Sequence, residues 1–281
     1  MKKRLAFLTI FASITLLLAA CGTADKETSG SSTAKDTADT FTVGLEAGYA
    51  PFNWTQLDDS NGGVKIDGNA EYAGGYDVEI AKRIADGLGK ELVIVKTEWD
   101  GLVPSLQSDK IDAIIAGMSP TEERKETIDF SENYYTSNFV MVVKKGGAFE
   151  GATSIQDFSG AKITGQLNTS HYGVIDQIKD VQKQPASDNF SAMRVALESG
   201  VIDGYVSERP EGISASSANA NFAMVEFTDG FKAAEEDTAV AVGLKKDSKL
   251  TEDINKILAE ISEEERQEIM DAAINNQPAA E

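Results

Sequence analysis

Residues 98–124 constrain this chain more than any other stretch: they read as a short helix, a turn, a buried strand, a loop and the start of another helix. Residues 111–116 are apolar apart from Asp112, the pattern of a parallel strand covered on both faces and therefore of an α/β fold. In open α/β sheets the ligand lies at the carboxyl ends of the strands. That rule puts Gly117, Met118 and Ser119 on a binding edge. Thr121 is the expected N-cap of the next helix. Arg124 then falls in its first turn, where the helix dipole disfavours a cation. A cation held there points to an anion nearby, and the guanidinium fork suits a carboxylate bidentately. The competing reading is a surface arginine beside Glu122 and Glu123.

The stretch has an echo downstream. Residues 105–117 align with residues 196–208, matching Leu106 with Leu197, Ser108 with Ser199, Ile111 with Ile202 and Asp112 with Asp203. Four identities arise by chance or from shared α/β grammar; taken at face value they mean two similar lobes. Gly117 and Glu208 then end corresponding strands and face each other across a cleft. An arginine on one wall and a glutamate on the other suit a zwitterion.

The chain also carries a family resemblance. Gly44-Leu45-Glu46-Ala47-Gly48-Tyr49-Ala50-Pro51-Phe52, then Gly75-Tyr76-Asp77-Val78-Glu79-Ile80-Ala81, then residues 99–124 running on into Ile128-Asp129-Phe130-Ser131 and Tyr134-Tyr135, resemble in order the polar amino-acid substrate-binding proteins of ABC importers. The likeness runs through roughly residues 41–248. It implies a two-lobed, periplasmic-binding-protein-like fold of type II, with two hinge crossings and a ligand cleft between the lobes. Residues 41–137 with 236–281 would form lobe one, and residues 138–235 lobe two. It also implies roles. Arg124 and Ser170 would hold a ligand carboxylate and Glu208 its ammonium. The backbone around Gly117 and Ser119 would add hydrogen bonds, and Tyr49 and Trp99 would wall the side chain. Asn168 stands where the family usually has glycine. Glu46 stands where the binders of basic amino acids carry an acid for the distal charge, which favours Lys, Arg or His over Gln. The structural alternatives are a half-buried core tryptophan at Trp99 and a Glu208 paired with Arg209. A dehydratase on the same fold is the enzymatic alternative, and a surface sensor is a third.

The N-terminus is a separate matter. Lys2, Lys3 and Arg4 precede a mostly apolar run, residues 5–18, too short to span a bilayer comfortably. Leu18-Ala19-Ala20-Cys21 resembles a lipobox, and Cys21 is the only cysteine. Residues 1–20 are thus expected to be a lipoprotein signal peptide, with Cys21 lipidated. Residues 21–40 would be a flexible tether with a reach of about 25 Å. The expected place is the outer face of the cytoplasmic membrane, with permease and ATPase subunits as partners and the protein a monomer.

The formal net charge of −20 includes three positive residues of the signal segment, so the remainder is more acidic still. That sign argues against nucleic acid. One histidine and one cysteine leave no metal-binding set, and no cofactor is expected.

Periodicity adds elements. Strands are expected at residues 41–45, 92–95, 139–143, 161–164, 204–207 and 238–244. A helix over residues 77–88 would be capped by Asp77 and ended by Gly89. A second helix over residues 171–178 would leave His171 exposed, and one continuous helix would cover residues 250–269. Residues 54–73 are polar and Gly-rich and read as a surface loop insertion.

Overall fold

The computed structural model describes residues 39–278. The signal segment, Cys21 and the tether up to residue 38 lie outside them. Thr40, expected to end the tether, instead opens the first strand.

Two five-stranded sheets share one plan among the described residues. The first runs Glu91–Lys96, Thr40–Leu45, Ala113–Ile114, Ala239–Leu244, Asp129–Thr136. Its first three strands are parallel, and Ala239–Leu244 is antiparallel to both neighbours. The second runs Gln182–Lys183, Lys162–Thr164, Gly204–Glu208, Phe139–Lys144, Phe222–Val225. Again three strands are parallel, and Phe139–Lys144 is antiparallel to both neighbours. In each sheet that antiparallel strand arrives along a crossing from the other sheet. The crossings touch: Thr136 pairs with Ala239, and Ser137 N–H donates to Thr238 O at 3.0 Å.

The echo in the sequence is a structural repeat, and each matched residue does the same job twice. Leu106 and Leu197 are buried at their helix ends, as are Ile111 and Ile202 at the strand starts. Ser108 and Ser199 hydroxyls donate back to Pro104 O and Val195 O, at 2.8 and 2.9 Å. Asp109 and Gly200 both turn through positive φ, 59° and 77°. Asp112 accepts from Thr42 N–H and Asp203 from Lys162 N–H, each at 2.8 Å. A carboxylate just before the strand thus takes a backbone donor of the neighbouring strand in both sheets. Only Ala113–Ile114 of residues 111–116 forms the strand, flanked by bonds from Asp112 N–H to Thr42 O and from Ile115 N–H to Gly44 O.

Four expectations change. Helix Tyr76–Gly87 buries Val78, Ile80, Ala81, Ile84 and Ala85 as periodicity requires, but Gly75 rather than Asp77 caps it. Asp77 is fully buried, accepting from Asn53 Nδ2 at 2.8 Å and Tyr134 OH at 2.7 Å. Residues 54–73 are not a loop. They contribute to a four-stranded antiparallel sheet ordered Gly48–Tyr49, Asn53–Gln56, Tyr72–Gly74, Val64–Lys65. Buried Trp54 and Ile66 anchor it, a pattern too sparse to show through the glycines and polar residues. The C-terminal helix is two, Leu250–Glu260 and Glu263–Asn276. Ser262 caps the second, and the Arg266 guanidinium takes the Leu258 and Ile261 carbonyls, fixing the break. Residues 171–178 split into the short helix Ser170–Gly173 and a 3-10 turn, Val174–Gln177. His171 is buried, not exposed, with the rings of Phe139 and Phe190 set edgewise against it.

Candidate functional site

The carboxyl ends of the parallel strands in both sheets converge. From the first come Glu46 and Tyr49, Trp99, and the Gly117-Met118-Ser119 loop; from the second come the loop Gln166-Leu167-Asn168-Thr169-Ser170 and the strand end Glu208. Tyr49, Trp99, Gly117, Ser119, Arg124 and Ser170 line one narrow space that is nearly closed in this structure. Direct bonds span it from wall to wall.

Arg124 sits where the sequence puts it. Thr121 caps its helix, accepting from Arg124 N–H at 3.4 Å. The guanidinium reaches Ser119 O on its own side at 2.8 Å and Asn168 O on the other at 2.9 Å. Its plane lies over the Trp99 ring, 5.1 Å from the centroid. Burial lowers its pKa to about 10, against the opposing pull of Glu123 and Asp237. Both hydrogen-bond partners are neutral carbonyls, so the charge itself calls for an anion.

Gly117 and Asn168 form the two backbone corners of the site, with φ of 62° and 55°. A Cβ on Gly117 would stand 2.6 Å from the Tyr49 ring, so only glycine lets the loop pass. Asn168 keeps the left-handed turn that a glycine would supply. Its side chain adds a second crossing bond, Nδ2 to Asp100 Oδ1 at 2.9 Å. Met118 is buried, and its carbonyl accepts from Ala241 N–H at 3.1 Å, tying the loop to the return strand.

The opposite wall is acidic. Glu208 is 4% exposed. Its Oε1 accepts from Tyr49 OH at 2.5 Å and lies 3.3 Å from His171 Nε2. Its Oε2 is buried with no hydrogen-bond partner among the described residues. Arg209 turns away to Glu226 at 2.8 Å, which removes the alternative pairing for Glu208. Burial, and then the Glu208 charge, push the Tyr49 hydroxyl well above its ordinary pKa, so it is a donor.

Glu46 is 7% exposed and accepts from Gln166 Nε2 at 3.3 Å, with Oε1 unpartnered among the described residues. Burial raises its pKa from 4.5 to about 7, against the bond from Gln166.

Tyr49 departs from expectation. Phe52 and Phe190 stack on its ring at 5.0 and 4.4 Å, so both faces are covered. It presents a hydroxyl and a ring edge, not a stacking wall. Ser170 also differs: its hydroxyl donates to Asp237 Oδ1 at 2.8 Å. Sequence reasoning missed the roles of Gln166, Asp237 and Phe190, which reach the site only through the second sheet and the return crossing. His171 was visible as the neighbour of Ser170, but nothing local marked its burial. No group of three or more His, Cys, Asp or Glu among the described residues is arranged to hold a metal.

Known proteins resemble this chain in sequence and fold. The arginine-binding extracellular protein ArtP of Bacillus subtilis is 30% identical over 93% of each chain. A probable histidine-binding protein of Campylobacter jejuni is 35% identical over 76% of this chain and 80% of its own. The crystal structure of an amino-acid ABC transporter substrate-binding protein, AbpA from Streptococcus pneumoniae, bound to L-arginine, superposes with a TM-score of 0.72 at 27% identity, covering 85% of this chain and 96% of that one. The model of bacterial extracellular solute-binding proteins, family 3, matches residues 41–275, and the chain belongs to that family.

Proposed function

We propose that this protein is the capture component of an amino-acid ABC importer and that its ligand is a basic L-amino acid. One observation carries the reading: a guanidinium bonded only to neutral carbonyls, Arg124, and a buried carboxylate with a spare oxygen, Glu208, stand on opposite walls of one site. Arg124 takes the ligand carboxylate with help from backbone N–H groups of Ser119 and the Asn168–Ser170 loop. Glu208 takes the ammonium. Trp99, beside Arg124, supplies an aromatic surface. Glu46, with its unpartnered oxygen, meets the distal charge. The arginine and histidine named for the relatives fit that chemistry.

Lobe one comprises residues 41–137 and 236–281, and lobe two residues 138–235, swinging about the paired crossings. The ligand selects the closed arrangement because only there do both walls reach it. Cys21 carries the lipid that holds the protein on the outer face of the membrane beside its permease and ATPase. The protein works as a monomer and captures rather than converts its ligand.

A second reading has its own observation. The Gln166 amide already donates to Glu46, so a neutral amide side chain also suits that corner. Melting of the purified full-length protein, freed of carried-over amino acids, separates the two. A ligand at a thousand times its Kd adds about 4 kcal/mol and raises the Tm of a domain this size by roughly 8 to 16 °C. A shift with Arg, Lys or His alone supports the basic reading. A shift with Gln alone transfers it to the amide, and no shift with any amino acid overturns capture.

A further inference from the structure

The Ser170 hydroxyl has one proton, and in this structure that proton goes to Asp237 Oδ1, 2.8 Å away. A carboxylate only accepts, so the direction of the bond is fixed. The Ser170 hydroxyl can then offer a ligand carboxylate nothing but a lone pair, leaving only the backbone N–H of Ser170 as a donor. The Ser119 hydroxyl, the other candidate donor on the cavity wall, donates to the backbone oxygen of the same Asp237 at 3.2 Å. One residue therefore occupies the hydroxyls of both walls.

Asp237 is placed for this by the fold. It lies in the short turn of helix Glu235–Thr238, on the return crossing, one residue before the carbonyl that receives Ser137 N–H from the outgoing crossing. Its other oxygen, Oδ2, accepts from Ala234 N–H at 3.1 Å, which fixes the rotamer that points Oδ1 at Ser170. Asp237 also acts electrostatically on Arg124. The side-chain carboxylate rooted at the hinge thus competes for the Ser170 hydroxyl, and the backbone oxygen of the same residue holds the Ser119 hydroxyl.

We infer that Asp237 is a tethered competitor of the ligand carboxylate, clasping Ser170 and Ser119 beside the hinge and thereby setting ligand affinity. The inference rests on the amino-acid capture proposed above. It assigns Ser170 a conditional role: the hydroxyl serves the ligand only when Asp237 lets it go. Two anions at one arginine also repel each other, so the incoming carboxylate works against Asp237 even where it displaces nothing.

Calorimetric titration of the full-length protein with L-arginine tests this through a double-mutant cycle. Asp237→Asn keeps the shape, removes the charge and weakens the acceptor. The expected result is tighter arginine binding, by about fivefold to tenfold. Ser170→Ala in the wild type should change affinity less than about twofold, because its proton is already committed. In the Asp237→Asn background the same change should cost about fivefold. Equal losses in the two backgrounds, or weaker binding by Asp237→Asn, overturn the inference. A second readout needs no ligand: Ser170→Ala frees Asp237, and amide exchange at Ala234 and Thr238 should quicken several-fold over wild type. Unchanged exchange rejects the clasp even if the wild type binds no amino acid, whereas an absent heat with quickened exchange rejects only the capture reading.

Discussion

The ligand contact proposed for Glu46 would couple selectivity to pH through one side chain. Burial raises its carboxyl from 4.5 to about 7. A group whose folded pKa is raised contributes stability that is fully present below its unfolded value, about 4.5, and lost as the pH climbs through the folded value, about 7. Ionised Glu46 is therefore a strain on the protein without ligand at pH 8, and Glu46→Gln should raise its Tm there, with the gap closing below pH 5. Ligand binding runs the other way. A cationic side chain needs the carboxylate, so arginine affinity should rise about tenfold from pH 6 to pH 8. Glu46→Gln should weaken arginine by more than about tenfold at pH 8 and flatten the pH profile. A profile unchanged in Glu46→Gln would remove Glu46 as the selector.

At the scale of the element, the glycine that opens the helix Tyr76–Gly87 carries more than its propensity suggests. Gly75 has φ of 119°, and a Cβ on it would sit 2.4 Å from Phe52 O, a backbone atom that cannot move aside cheaply. Gly68, also at positive φ, 67°, has nothing within 4 Å. Urea denaturation should find Gly75→Ala destabilising by about 3 kcal/mol or more and Gly68→Ala by about 1 kcal/mol. Similar losses would mean that conformational strain, not close approach, sets both. The same contrast explains what was legible in the sequence. The strand-end loop at Gly117, the cap at Thr121 and the repeated Leu-Ser-Ile-Asp pattern speak through local periodicity and turn chemistry, and these read directly. Asp77 looked like a cap because it stands at a helix start; its burial depends on Asn53 and Tyr134, distant in sequence. The sheet within residues 54–73 hid for the same reason, since Ile66 is buried by its bridge to Ile94 and not by an alternating pattern of its own. Tyr49 was legible as a site residue, but Phe190, which covers one of its faces, opens a helix, Phe190–Ser199, that follows the second sheet's strands in sequence.

Over the whole molecule, the bonds between the two walls include Tyr49 to Glu208, Gln166 to Glu46, Arg124 to Asn168 O, Ser170 to Asp237 and Asn168 to Asp100. The first four involve groups that a ligand would itself engage, so they trade against binding. The Asn168–Asp100 bond lies at the rim and involves neither Arg124, Glu46 nor Glu208, so it adds to closure whatever occupies the cavity. Asn168→Gly tests that separation cleanly. The backbone, already at φ 55°, accepts glycine without rearrangement, and its carbonyl still meets Arg124. Only the side-chain latch is lost. A partly exposed hydrogen bond of about 0.5 to 1.5 kcal/mol corresponds to a factor of roughly two to ten in the closed population. Stopped-flow measurement should show arginine leaving two to ten times faster from Asn168→Gly, with association little changed, because the latch forms only after the walls meet. Asp100→Ala, which removes the acceptor, should match it if the latch is that one bond. A release rate equal to wild type in both variants would mean that the ligand alone holds the walls together, and that asparagine serves here only to carry the left-handed turn.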